Sequence, residues 1–179
     1  ANLCRIAKEK GGESAVITFW PHPRLILGQD AERLRLLTSM EEKKALLRSM
    51  GVDHIHVIEF TEELSRLTSQ EFIRQYLIEK YGVKSLVVGY DHKIGSDGKD
   101  VSIEQAAALM GVETIKINAV SDIYNTISST YIRNLIDTGG IERANDLLGY
   151  RYALAGVVIK GMGNGKKIGF PTANISLSQ

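Results

Sequence analysis

Three consecutive hydroxyl residues followed by an arginine form the most chemically suggestive cluster in the chain. Ser128, Ser129 and Thr130 precede Arg133 in the stretch SSTYIR, and Ser or Thr before an apolar periodic run indicates a helix start. The first N–H groups of a helix have no internal partner, and the helix dipole favours anions there. The stretch therefore fits a phosphate site, with the guanidinium as a fork for phosphate oxygens. The alternative is an ordinary helix cap beside a solvated arginine.

The glycine-rich stretch GMGNGKKIGFPTAN, residues 161–174, is a second candidate phosphate site. Glycines such as Gly165 let the backbone approach a phosphate closely, and Lys166 adds positive charge. Thr172 and Asn174 are two residues apart, so on a strand their oxygens would face one side and suit a hydrated magnesium ion. The pattern is not that of a P-loop. The alternative is a glycine hairpin that carries two lysines.

Two further stretches directly follow predicted strands. Pro21, His22 and Pro23 come after AVITFW, and the prolines fix the backbone there. His22 either shapes a ligand pocket or belongs to a structural corner. Asp91 and Lys93 come after SLVVGY, where Asp91 could accept from a ribose hydroxyl or a base amine and Lys93 could meet a phosphate. A glycine-framed turn is the alternative for this second stretch.

Two histidines raise the question of a metal site. His54 and His56 are two residues apart on a predicted strand, and hence on one face. A zinc site needs at least three protein ligands, and no third ligand stands nearby in the pattern. We therefore expect packed or half-exposed histidines rather than metal ligands.

Strand-like and helix-like segments alternate along most of the chain and must position these residues. Predicted strands cover 15–20, 54–60, 85–90 and 114–120, and predicted helices cover 39–50, 68–80, 102–110, 128–140 and 141–149. Ser39 with Glu42, and Thr68 with Glu71, have the spacing of capping boxes. Such alternation indicates an α/β domain with a mainly parallel sheet, in which ligands bind beyond the carboxyl ends of the strands.

Composition is that of an ordinary globular protein. The chain has 179 residues and a formal net charge of +1, so bulk charge gives no reason to expect nucleic acid or a membrane as partner. Cys4 is the only cysteine, which excludes an internal disulfide framework and suits a reducing, cytoplasmic setting. No apolar run reaches the ~18–20 residues of a membrane span.

The sequence changes character near Tyr150. Beyond Gly149 the stretch RYALAGVVIKG is extended and partly alternating, and glycine turns follow it. We therefore expect residues 1–149 to form one domain and residues 150–179 to begin a second, since about thirty residues cannot bury a core alone. The opening stretch ANLCRIAKEKGG has the pattern of the last turns of a helix, which predicts a further segment upstream.

The stretches PHPRLIL, LVVGYDHKIG, ISSTYIR and IGFPTANI occur in the order seen in prokaryotic bifunctional riboflavin kinase/FMN adenylyltransferases, the FAD synthetases. The chain resembles this family over almost its whole length. The resemblance implies FAD biosynthesis, with FMN made from riboflavin and ATP, FAD and pyrophosphate made from FMN and ATP, and Mg²⁺ in both steps. It also implies a nucleotidyltransferase-type (Rossmann-like) α/β domain followed by the start of a riboflavin-kinase β-barrel, with small molecules as partners.

The resemblance further implies a role for each candidate residue. In the adenylyltransferase the implied contacts are Pro21, His22 and Pro23 by the flavin and nucleotide pocket, Asp91 at the adenosine, and Ser128, Ser129, Thr130 and the catalytic Arg133 at the ATP phosphates. In the kinase they are Gly165 and Lys166 in the phosphate loop, and Thr172 and Asn174 at Mg²⁺ and the ATP phosphates.

The chain also departs from the family pattern. The G-x-F-D-G-x-H-x-G-H motif, whose histidines stabilise charge on the transferred group, is absent, and Ala1 would follow directly after it. The kinase base, a glutamate further along the barrel, is absent too. Ile94 replaces a usual phenylalanine, and residues 96–100 are shorter and more acidic than the usual basic loop. We therefore expect the 179-residue chain to be inactive in both steps.

Two other functions stay open on the sequence alone. One is a different small-molecule nucleotidyltransferase, such as a pantetheine-phosphate or nicotinamide-mononucleotide adenylyltransferase, against which residues 150–179 argue. The other is a non-catalytic flavin- or nucleotide-binding protein. The oligomeric state is not indicated.

Overall fold

The described part of the chain falls into two compact units. The computed structural model describes residues 2–28, 35–90, 92–98, 100–121 and 126–176. The first unit ends at Thr126 and the second begins at Ile127. These units are spatial groupings, so the domain boundary predicted near Tyr150 stays a prediction.

Helices and strands alternate in the described part of the first unit. The strands are β1 (Ala15–Trp20), β2 (His54–Glu59), β3 (Ser85–Gly89) and β4 (Glu113–Ile117). The helices are α1 (Asn2–Glu9), α2 (Pro23–Ile26), α3 (Met40–Ser49), α4 (Glu62–Arg66), α5 (Ser69–Phe72) with a π-helical continuation (Ile73–Lys80), and α6 (Ile103–Leu109). The predicted order of elements is confirmed. β4 is shorter than predicted, and α2 and α4 were not predicted.

The four strands form two parallel pairs. β1 pairs with β2, beginning with Ala15 opposite His54. β3 pairs with β4, beginning with Ser85 opposite Glu113. The predicted α/β class with parallel strands is confirmed. Among the described residues, however, the two pairs are separate two-stranded sheets rather than the single sheet that the sequence predicted.

One hydrophobic core serves both strand pairs. Ile58 of β2 and Val88 of β3 belong to the same buried cluster as Ile73 and Leu77 of the π-helical segment. Ala106 of α6 is fully buried in this cluster, and its small side chain lets the helix approach closely. Packing on shared helices therefore holds together two strand pairs between which the described residues form no ladder hydrogen bond.

Short-range polar contacts fix the starts of the helices. Glu42 N–H donates to Ser39 Oγ at 3.2 Å, and Ser39 N–H donates to Glu42 Oε2 at 2.7 Å. Thr68 and Glu71 make the same reciprocal pair of bonds at the start of α5. Both predicted capping boxes are confirmed. The sequence could predict them because the two partners of each box are only three residues apart.

The described part of the second unit contains three helices and two strands. They are α7 (Ser129–Asp137), α8 (Ile141–Leu148), β5 (Val157–Ile159), α9 (Asn164–Lys167) and β6 (Asn174–Ser176). β5 and β6 are antiparallel, with Ile159 opposite Asn174. Within the stretch 151–161 that was predicted to be extended, only 157–159 form a strand. The barrel implied by the resemblance stays a prediction.

No helix in the described ranges of either unit is long and apolar enough to span a membrane.

Candidate phosphate-binding sites

The three hydroxyl residues of SSTYIR lie at the start of α7. Ser128 is the N-cap, and its Oγ accepts from Tyr131 N–H at 3.2 Å, so the predicted helix start is confirmed. Ser129 and Thr130 are the first two helical residues and are exposed. Exposed hydroxyls and first-turn N–H groups therefore lie together at the positive end of the helix dipole.

Arg133 lies one turn into α7 and is half-buried. Ser129 and Thr130 precede it by four and three residues, and this spacing puts all three on one face of the helix. The neighbouring Ile132 is only 5% exposed, so α7 has a buried side as well as this polar one. The predicted grouping of hydroxyls and guanidinium is thus present, while its role in binding phosphate stays a prediction.

Residues 21–23 form the corner between β1 and α2. β1 ends at Trp20, and His22 is the N-cap of α2, with Nδ1 accepting from Arg24 N–H at 3.2 Å. An accepting Nδ1 leaves the proton of a neutral imidazole on Nε2. Pro23 is the first residue of α2, where a missing N–H has little cost. This geometry is the structural corner considered above, and a ligand role for Pro21, His22 and Pro23 stays a prediction.

The stretch after β3 is described except for Asp91, which lies outside the described residues, so its implied adenosine contact stays a prediction. His92 N–H donates to Gly89 O at 3.3 Å and closes a turn at the carboxyl end of β3. His92 and Lys93 are both exposed. They therefore stand at the edge of the strand pair where ligands bind in α/β folds.

Two buried serines that bind distant aspartates were missed by the sequence reasoning. In the first pair, Asp53 Oδ2 accepts from Ser14 N–H at 2.8 Å and from Ser14 Oγ at 2.7 Å. In the second pair, Asp97 Oδ1 accepts from Ser69 N–H and from Ser69 Oγ, both at 2.7 Å. Neither serine is more than 1% exposed. The partners are 39 and 28 residues apart, so no local pattern marks them.

These contacts shift the acidity of both carboxyls. Hydrogen bonds from the Ser14 hydroxyl and then from the Ser14 N–H lower the pKa of Asp53 below its ordinary value. The Ser69 hydroxyl and N–H lower the pKa of Asp97 in the same way. Both aspartates are therefore held in the charged form that accepts these hydrogen bonds.

The glycine-rich stretch folds onto the two polar side chains that follow it. A methyl group on Gly165 would overlap Phe170 O and lie 2.9 Å from Thr172 Oγ1. A methyl group on Gly161 would overlap the side-chain amide of Asn174. The backbone of the stretch therefore touches both side chains, which a residue larger than glycine would prevent.

Two details of the prediction for this stretch are wrong. β6 begins at Asn174, so Thr172 precedes the strand and the two side chains do not share a strand face. Lys166 lies on α9, a single helical turn in place of the predicted glycine turn, and is exposed. Gly165 and Gly161, rather than strand alternation, bring the stretch to Thr172 and Asn174.

The two histidines of β2 have protein partners. His54 Nε2 lies 3.0 Å from Glu13 Oε2. The His56 ring stacks on Tyr81 with 4.1 Å between ring centroids. Among the residues that the structure describes, no group of three or more His, Cys, Asp or Glu is arranged to hold a metal ion.

Family models match both parts of the chain. A model described as FAD synthetase matches residues 1–131, and a model described as riboflavin kinase matches residues 148–179. The chain is 38% identical over 176 residues to a bifunctional riboflavin kinase/FMN adenylyltransferase of Listeria monocytogenes, an alignment that covers 98% of this chain and 56% of that protein. The corresponding protein of Escherichia coli K12 is 32% identical over 164 residues, which are 90% of this chain and 52% of that protein. The chain spans about half the length of these curated relatives.

A solved structure has a similar fold. The crystal structure of a macrolide-efflux protein from Streptococcus pneumoniae superposes with a TM-score of 0.86 at 31% sequence identity. The match covers 99% of this chain and 59% of that one. Its name describes that protein, whereas the family models and the curated relatives have names from flavin biosynthesis.

Proposed function

This chain belongs to the FAD synthetase family, and from that premise we propose that it carries the ATP-phosphate site of an FMN adenylyltransferase and the start of a riboflavin kinase. The full activity is that of a bifunctional enzyme that converts riboflavin to FMN and FMN to FAD. ATP, FMN and riboflavin are its small-molecule substrates. FAD and pyrophosphate are the products of the adenylyl transfer.

The adenylyl transfer needs positioning and charge neutralisation more than covalent chemistry. A phosphate oxygen of FMN attacks the α-phosphorus of ATP, a new P–O bond forms, and the bond to the departing pyrophosphate breaks. Negative charge is spread over the phosphate oxygens as this happens, so fixed donors stabilise the transition state. In this chain, Ser129, Thr130 and the first-turn N–H groups of α7 would bind those oxygens, and Arg133 would neutralise their charge.

The start of α7 is the observation that carries this proposal. It combines exposed hydroxyls, first-turn N–H donors and an arginine on one helical face, which are the groups that phosphate recognition requires. Ser128, Ser129 and Thr130 lie within residues 1–131, the part that matches the FAD synthetase model, and Arg133 lies two residues beyond it. The PHP corner, His92 and Lys93 belong to the first unit, and we propose them separately as contacts to the nucleotide and the flavin.

The kinase part of the proposal concerns the glycine-rich stretch. Gly161 and Gly165 pack on the side chains of Asn174 and Thr172, which supply the oxygen donors that Mg²⁺ prefers. The residues present therefore fit a magnesium ion, which would neutralise phosphate charge when bound. Thr172 and Asn174 would hold the ion and the ATP phosphates, and Lys166 would add positive charge to the same loop.

Substitutions in α7 separate helix capping from phosphate binding. The double variant Ser129→Ala/Thr130→Ala keeps the Ser128 cap, so we expect its stability to be unchanged within about 0.5 kcal/mol. Removing two donors to a charged ligand should weaken ATP binding about fivefold or more, and Arg133→Ala should weaken it about 10- to 100-fold. Calorimetric titration of ATP into each variant of the 179-residue chain measures the affinities, and urea unfolding measures the stability of the double variant.

The matched control is Arg5→Ala, since Arg5 is an exposed arginine paired with Glu9 on α1. This variant should bind ATP like the unaltered chain. Equal affinities for the Arg5 and Arg133 variants would contradict the proposed site. FMN fluorescence measured with and without ATP tests the flavin contact. Pyrophosphate release that depends on FMN and ATP would contradict the expected inactivity of the 179-residue chain.

A further inference from the structure

The residues that follow the β3 turn are fastened to the start of α5. Ser96 N–H donates to Leu67 O at 2.8 Å, and Ser96 Oγ donates to Arg66 O at 3.0 Å. Asp97 Oδ1 accepts both hydrogen bonds from Ser69, as described above. Ser69 Oγ also lies 2.6 Å from Ile94 O, so its single proton is shared between two acceptors. Segment 94–98 is thus held at three successive points.

Glycine makes this close approach possible. Gly95 has φ +83°, and a methyl group there would overlap the backbone nitrogen of Ser69. A methyl group on Gly98 would lie 2.7 Å from Ile94 O. Ile94 itself packs against the hydrophobic core. The segment is therefore fixed by packing as well as by hydrogen bonds.

This attachment leaves only a short span free after β3. The His92 N–H bond to Gly89 O fixes the near end of the span, and Ile94 begins the attached segment at the far end. His92 is itself the near fixed point, Lys93 stands between it and Ile94, and both His92 and Lys93 are exposed. A short span held at both ends loses little conformational freedom when a ligand binds it.

We propose that Ser69 and Asp97 are positioning residues for nucleotide binding, because they hold the span with His92 and Lys93 ready for ATP at the carboxyl end of β3. The inference rests on the proposed function, since it assumes that this edge binds ATP. Neither Ser69 nor Asp97 needs to touch the nucleotide. Their contribution is to reduce the ordering that ATP would otherwise have to impose.

The first pair provides a matched control within the same unit. Asp53 and Ser14 make the same two hydrogen bonds at nearly the same distances. They lie directly before β2 and β1, at the amino ends of these strands. Ligands in α/β folds bind at the opposite edge. The two pairs therefore share their chemistry but differ in their position relative to the proposed site.

The test compares Asp97→Ala with Asp53→Ala in the full 179-residue chain. Amide hydrogen exchange is followed at His92 and Ser96, whose N–H groups donate to Gly89 O and Leu67 O, and ATP affinity is measured by calorimetry. We expect Asp97→Ala to speed exchange at His92 and Ser96 and to weaken ATP binding about tenfold. Asp53→Ala should change neither, although it also removes the carboxylate acceptor of a buried serine.

A conservative variant keeps the test decisive if Asp97→Ala does not fold. Asp97→Asn retains an acceptor for both Ser69 donors, so it should keep most of the ATP affinity and most of the exchange protection. Unchanged exchange in Asp97→Ala, or faster exchange with unchanged ATP affinity, would overturn the inference. If Asp97→Ala exchanges faster but the unaltered chain binds no ATP, the attachment of the segment would be supported and its proposed role in nucleotide binding refuted.

Discussion

At the residue scale, Ser128 shows that capping a helix and binding a phosphate are compatible. Its Oγ accepts from Tyr131 N–H, which satisfies one first-turn donor. A hydroxyl has two acceptor lone pairs and one proton, so this bond leaves the proton available to donate to a ligand oxygen. The two functions that the sequence left as alternatives for SSTYIR can therefore coexist in one side chain.

The two serine–aspartate pairs show the same principle for buried groups. A buried hydroxyl without a partner would cost free energy, and each serine here donates to an aspartate that is distant in the chain. The same hydrogen bonds stabilise the charged form of the aspartate and so lower the pKa of its carboxyl. The stability that each pair contributes therefore depends on pH.

Acid should weaken the first pair. The pKa of Asp53 in the folded chain lies below its ordinary value of 3.8, so its stabilisation is complete above that value and is lost as pH falls through the folded pKa. Asp53→Asn cannot titrate. We expect the difference in unfolding free energy between the unaltered chain and Asp53→Asn to be largest at pH 7 and to shrink below about pH 4.

Urea unfolding at a series of pH values measures this difference. Glu9→Gln serves as a control, because Glu9 pairs with Arg5 on the exposed surface of α1. A difference for Asp53→Asn that stays constant down to pH 2.5 would show that the carboxyl has no acid-linked role.

At the scale of elements, the glycine-rich stretch derives its shape from close contacts rather than from regular structure. β5, α9 and β6 are each only three or four residues long. Gly161 and Gly165 approach the side chains of Asn174 and Thr172 so closely that a β-carbon has no room. The shape of this stretch therefore depends on glycine, which has no β-carbon, at positions 161 and 165.

Gly161→Ala should disturb Asn174 directly. The added methyl group overlaps the end of the exposed Asn174 side chain, so we expect the Asn174 side-chain N–H resonances to shift while the free energy of unfolding changes by less than about 0.5 kcal/mol. The comparison is Gly163→Ala, where φ is +68° but open space surrounds the added methyl group. That variant should strain the backbone and leave the Asn174 resonances in place. Unchanged resonances in Gly161→Ala would contradict the packing described here.

At the scale of the whole molecule, the first unit has one core beneath two strand pairs that, among the described residues, are not hydrogen-bonded to each other. The π-helical segment supplies Ile73 and Leu77 to this core, at 0% and 2% exposure. Two-stranded sheets are marginal on their own. Burial against shared helices therefore contributes much of the stability of this α/β unit.

Truncating this core should be costly. Leu77→Ala removes buried methyl groups and leaves a cavity, so we expect it to lower the free energy of unfolding by about 2–5 kcal/mol. Leu109→Ala is the matched control, because Leu109 is 73% exposed on α6; its effect should stay within about 0.5 kcal/mol. Chemical denaturation of both variants measures the difference. Similar losses for the two leucines would mean that the shared core does not stabilise the unit.

Local chemistry was readable from the sequence alone. The capping boxes at Ser39 and Thr68, the cap at Ser128 and the strands β1 to β4 follow from residues close together in the chain, since capping bonds and apolar runs depend on neighbours. The order of motifs such as SSTYIR and GFPTAN likewise indicated the family to which the chain belongs.

Only the tertiary structure decided which distant residues meet. Ser69 reaches Asp97 across 28 residues, and Ser14 reaches Asp53 across 39. The contact of Gly161 with Asn174, and the division of the parallel strands into two pairs, were equally hidden. Such contacts depend on how helices pack over strands, and packing is set by the summed burial of many side chains rather than by any short pattern.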